Sequence, residues 1–87
     1  MVMIQRTLHQ GVLLSFSGYI EAADVVEIQR LVDQETPGES LRFDLQDITL
    51  VDREAVTFLA CCEADGVGLT NCPLYLRQWI DTERRQS

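Results

Sequence analysis

LRFDLQDITLVDREAVTFLACCEAD, residues 41–65, decides the fold, because it runs from an apolar strand straight into an amphipathic helix. Leu41–Leu45 reads as a buried strand, and the apolar run Ile48–Val51 leads to Asp52, whose carboxylate is suited to cap a helix. The spacing predicts that helix over 53–65. At 100° per residue, Ala55, Leu59 and Cys62 face a sheet while Arg53, Thr57 and Ala64 face water. Glu54, Phe58, Cys61 and Asp65 share a flank between these two sides. Upstream, Thr36-Pro37-Gly38-Glu39-Ser40 is loop by composition. Before it, Glu21–Glu35 places Val25, Ile28 and Val32 at helical spacing. The opening reads as a hairpin: strands Met1–Thr7 and Gly11–Ser17 are turned at His9-Gln10-Gly11, and Gly18 breaks the second. Downstream of Gly66, a short strand at Val67–Asn71 precedes a third helix that Cys72-Pro73 opens, with proline at its first position, and that runs to Thr82. Arg84-Arg85-Gln86-Ser87 reads as a frayed tail. Strands alternating with helices of this length predict an α/β fold of about four strands and three helices, mainly parallel, with the first strand antiparallel at an edge. Residues 1–87 are expected to form a single domain, too short for two cores.

Seven arginines and no lysine stand against fourteen acids, a net charge of −7. All fourteen acids lie beyond residue 20, and residues 21–65 carry a net −9. Such a chain repels phosphate backbones and anionic lipid, so neither nucleic acid nor a membrane surface is an expected partner, and a basic protein suits it better. No stretch is long and apolar enough to span a bilayer, and no basic segment followed by an apolar one opens the chain, so the expected location is cytoplasmic. A homodimer is compatible with so small a domain.

The residues argue against chemistry. Cys61, Cys62 and Cys72 have neither zinc nor redox-motif spacing, and the lone His9 cannot complete a metal site with them. Asp44, Asp47 and Asp52 could group as oxygen ligands for Mg²⁺, but Asp47 suits a turn and Asp52 a cap. No phosphate-cradling glycine loop accompanies them. No nucleophile elbow is present, and Tyr75 and Trp79, four apart on the last helix, read as core packing. No catalytic residue, cofactor or metal is therefore expected.

The order of these elements, with Gly18-Tyr19-Ile20-Glu21-Ala22-Ala23, Leu41-Arg42-Phe43-Asp44-Leu45 and Ile48-Thr49-Leu50-Val51-Asp52, resembles the STAS domain, the sulfate transporter and anti-sigma factor antagonist family, over nearly the whole chain. The resemblance implies a non-enzymatic regulatory module of bacterial-type signalling, whose partner is a kinase-like anti-sigma factor or another signalling protein. In that family an Asp-Ser-Ser-Gly turn enters helix two, and phosphorylation of its second serine releases the partner. Here Asp52-Arg53-Glu54-Ala55 stands in its place, and Glu54 takes the position of that serine. The implied partner contacts are Asp52, Arg53, Glu54, Thr57 and Phe58. The alternative expectation is a small-molecule-sensing or thiol-reactive domain in which the same turn binds a ligand or Cys61 responds to oxidants.

Overall fold

The computed structural model describes residues 2–8, 10–35 and 40–86. The chain runs β1 (Val2–Leu8), β2 (Val12–Ile20), α1 (Ala22–Asp33), β3 (Leu41–Val51), α2 (Arg53–Ala64), β4 (Gly68–Thr70) and α3 (Leu74–Gln86). The strands form one sheet in the order β1-β2-β3-β4, with β1 antiparallel to β2 and the other pairs parallel. The expected mixed sheet with three helices is what the chain forms. Two successive crossovers step the same way across the sheet, so right-handed connections bring α1 and α2 to one face.

All three helices share one core with that face. Val12, Leu14, Phe16, Phe43 and Leu45 supply the sheet side, with Phe16 and Phe43 edge to face at 5.0 Å between ring centroids. Ile28, Leu59 and Cys62 are buried against them, as the helix faces predict, with Leu76 and Ile80 of α3. The opposite face carries Leu13, Ser15 and Ser17 of β2 beside Arg42, Asp44 and Asp47 of β3, polar in the main.

Several expected boundaries move. β2 continues through Gly18, which takes φ +95° inside the strand instead of ending it. β3 extends six residues past Leu45 because the β2–β3 register slips between Ser15 and Ser17 and again between Gly18 and Tyr19. Each slip gives β3 an extra residue, so Leu45, Ile48 and Val51 all point inward at a spacing of three, where a regular strand spaces its inward residues by two. Asp47 consequently lies within a strand and not in a turn. Helix three begins at Leu74, with Pro73 just outside, whose carbonyl accepts from Arg77 N–H at 2.9 Å. It also runs on through Arg84 and Arg85, where the composition predicts a frayed tail. Residues 36–39 of the loop expected at 36–40, and His9 in the hairpin turn, lie outside the described residues.

The turn that closes the hairpin depends on Gly11. Its φ is +114°, and a Cβ there would stand 2.5 Å from the Ser40 carbonyl oxygen, which accepts from Val12 N–H at 2.7 Å. Only glycine permits both the left-handed backbone and this approach.

Candidate functional site

The candidate surface is built where β2 and β3 end side by side and release α1 and α2. Asp52 organises it. One carboxylate oxygen accepts from Ala55 N–H at 2.9 Å, capping α2, and the other accepts from Ala22 N–H at 2.7 Å, at the first residue of α1. Its own N–H donates to the Ile20 carbonyl at 3.2 Å, and its carbonyl accepts the first α2 helix bond, from Val56 N–H at 3.1 Å. One residue thus satisfies amide donors at two helix starts that would otherwise lack partners, and fixes the two ends relative to each other. The capping role was readable from the position before the helix. The bridge to α1 was not, since it joins residues thirty apart.

Acid gathers there. Asp24 accepts from Glu21 N–H at 3.0 Å in the first turn of α1, and Glu54 lies exposed in the first turn of α2. Negative charge near these helix starts is stabilised by the aligned peptide dipoles. Arg53 reaches across to Glu83 of α3 at 3.5 Å, and Thr57 donates its hydroxyl to the Arg53 carbonyl at 3.1 Å while staying exposed.

The five residues expected to contact a partner are therefore not equivalent. Arg53, Glu54 and Thr57 are on the surface. Asp52 is half-buried with both oxygens engaged by backbone, which makes it the residue that positions the turn. Phe58 belongs to the core, a correction to the flank between the sheet-facing and water-facing sides on which helical spacing placed it. α2 packs against both α1 and α3 as well as the sheet, so its flanks are covered as well as its inner face. Tyr75 departs in the other direction, remaining 45% exposed where core packing was expected, while Trp79 packs against the core.

The acids considered for metal binding also have separate places. Asp44 accepts from Gln46 N–H at 3.0 Å and from the Asn71 side-chain amide at 3.3 Å, Asp47 is exposed on the open sheet face, and Asp52 holds the helix starts. Of the thiols, Cys62 is buried and burial pushes it up to about 12, while partial burial also raises Cys72. Cys61 is exposed beside Thr57, Ala60, Ala64, Glu83 and Arg84, which line a groove of about 290 Å³ between α2 and α3.

No protein-family model matches the chain, and comparison with curated proteins finds no relative. Among solved structures it is similar to an uncharacterised protein of the DUF3478 family with a SpoIIAA-like fold, from Shewanella loihica PV-4. The TM-score is 0.55 at 15% identity, over 78% of this chain and 65% of that one, so the likeness spans somewhat under two thirds of its length. The fold is SpoIIAA-like, the fold of anti-sigma factor antagonist domains, in agreement with the resemblance seen in the sequence. No helix among the described residues is long and apolar enough to cross a membrane.

Proposed function

We propose that this SpoIIAA-like chain is a non-enzymatic, protein-binding regulatory module, anti-sigma factor antagonist-like, that docks a kinase-like anti-sigma factor or a related cytoplasmic signalling protein through the start of α2. The observation that carries this reading is the turn held by Asp52, which fixes two helix starts and leaves Arg53, Glu54 and Thr57 outward. A rigid, charged turn suits recognition, because little order is lost when a partner binds it.

Glu54 takes the place of the phosphorylatable serine in this reading. It carries one permanent negative charge, against about −1.5 to −2 for phosphoserine, so it mimics part of the phosphorylated state and cannot be switched. Regulation by phosphate at that position is lost.

Replacing Glu54 with Gln keeps the size and removes the charge. Measured by titration against the kinase-like anti-sigma factors of the host, binding of E54Q should change several-fold while stability stays within about 1 kcal/mol. A small loss of stability with unchanged binding would reduce Glu54 to a helix-start residue and remove the mimic. Phosphate on Thr57 in protein isolated from the host would place the switch three residues further along. Rapid modification of Cys61 at neutral pH that abolishes partner binding would favour a thiol-reactive domain instead.

A further inference from the structure

We propose that the sheet face opposite the helices carries a socket for one lysine side chain of a protein partner, built from Asp47, Ser15, Ser17 and Gln5. These four, with Met3, line a single crevice of about 180 Å³. Strand pairing assembles it: Met3 stands opposite Ser17, Ser17 stands beside Asp47, and Gln5 stands opposite Ser15. Asp47 reaches that place through the register slip between Ser15 and Ser17. Ser15 pairs with Asp44, and a regular ladder would set Gln46 beside Ser17, but the extra residue of β3 brings Asp47 there instead. Among the described residues, none of the four polar side chains makes a hydrogen bond or an ion pair.

The chemistry of the lining selects the occupant. Each of the four side chains can accept a hydrogen bond, and the one charge among them is the Asp47 carboxylate. Arg6, next to Gln5, is turned to the helix side, where Glu35 accepts from it at 2.9 and 3.2 Å, and Arg42 lies opposite Leu13, beyond Asp44. The crevice therefore suits a cation that donates hydrogen bonds. One carboxylate is too sparse a set for Ca²⁺, which takes about six to eight oxygen ligands, and Asp44 is already engaged by the Gln46 N–H and the Asn71 amide. The acceptors come from three strands around one hollow, an arrangement that a compact ammonium with three rotatable donors satisfies, whereas a guanidinium binds as a planar fork to one carboxylate. Met3, 68% exposed, gives the methylene stem of a lysine an apolar wall. Size separates a side chain from a free ligand: small-molecule sites span about 300–1,000 Å³, well above this crevice. A lysine also complements a chain of net −7 that has no lysine of its own. The socket rests on the reading of this chain as a protein-binding module, and it lies on the face away from the helices.

The test is a titration of the whole chain with the blocked peptide acetyl-Gly-Lys-Gly-amide, read by amide chemical shifts at about 0.15 M salt, where charges more than about 8 Å away are screened. Saturable shifts should appear at Gln5, Ser15, Ser17 and Asp47. Asp47→Asn removes the charge, and Ser17→Val fills the floor while leaving the charge in place. Each should weaken binding about fivefold or more with an unchanged circular dichroism spectrum, as should norleucine or arginine in place of the peptide's lysine. Binding of n-butylammonium without binding of the peptide would assign the crevice to free amines. Equal shifts at the acidic helix starts would reduce the effect to general attraction, and a loss with D47N but not with S17V would leave Asp47 an ordinary surface charge. Each of these results, like the lack of any saturable shift, would overturn the socket. All of them read the chain without its partner, so the socket can fail while the α2 turn stands, and the E54Q titration decides that turn separately.

Discussion

At the scale of single residues, Asp52 shows how one side chain can do two structural tasks and thereby shape a surface it hardly touches. Its two carboxylate oxygens accept from amides of two different helices, so its substitutions should be graded. Asn offers one acceptor oxygen and an amide nitrogen that cannot accept, so D52N should lose one of the two bonds, at about 1 kcal/mol. D52A should lose both, at about 2 kcal/mol or somewhat more. Urea denaturation reads the series, and hydrogen exchange at the Ala22 and Ala55 amides shows which bond has opened. Equal effects of Asn and Ala would mean that only one of the two bonds contributes in solution.

At the scale of elements, α3 is held to α2 by a network centred on Glu63. Its carboxylate accepts from Arg77 at 2.7 and 2.6 Å and from Arg84 at 2.8 Å, while Arg77 also donates to Asp81 at 2.8 Å. The hydrogen bonds from Arg77, foremost, hold the Glu63 carboxyl below its usual value of 4.5, against the opposing effect of burial. A group whose pKa is lower folded than unfolded favours the folded state above its unfolded pKa, and that contribution is lost as pH falls through the folded value. Glu63→Gln should thus cost about 1 kcal/mol near neutral pH, and the difference from the unmodified chain should vanish on acidification below the usual carboxylate range. Denaturation midpoints of both chains across that range check it. A difference that persists in acid would assign the effect to packing of the side chain and not to its charge.

At the scale of the whole molecule, charge is distributed unevenly along the chain. Residues 1–20 contain no acid, whereas residues 21–65, which include both helix starts at the Asp52 turn, hold a net −9. A partner of the α2 surface should therefore be basic and steered by this field. Its association rate, followed by stopped flow, should fall about tenfold or more from low to physiological ionic strength, since screening shortens the reach of surface charge to about 8 Å. An association rate independent of salt would remove the acidic docking face.

The amino-acid sequence by itself determined the class, the order of elements and the inner faces of α1 and α2, because periodicity and helix-start chemistry are local properties. Asp52 as a cap, and Ile28, Leu59 and Cys62 as core, were legible for that reason. Only the tertiary structure decided how far β3 runs, because each register slip with β2 re-aims its side chains and breaks the alternation by which a strand is read. Only the packing of α2 among the sheet, α1 and α3 put Phe58 inside, since spacing along one helix does not tell how many neighbours that helix has. The second bond of Asp52, to Ala22, belongs with these. It exists because parallel pairing sets the ends of β2 and β3 side by side, bringing Asp52 to a helix start that lies thirty residues before it in the chain.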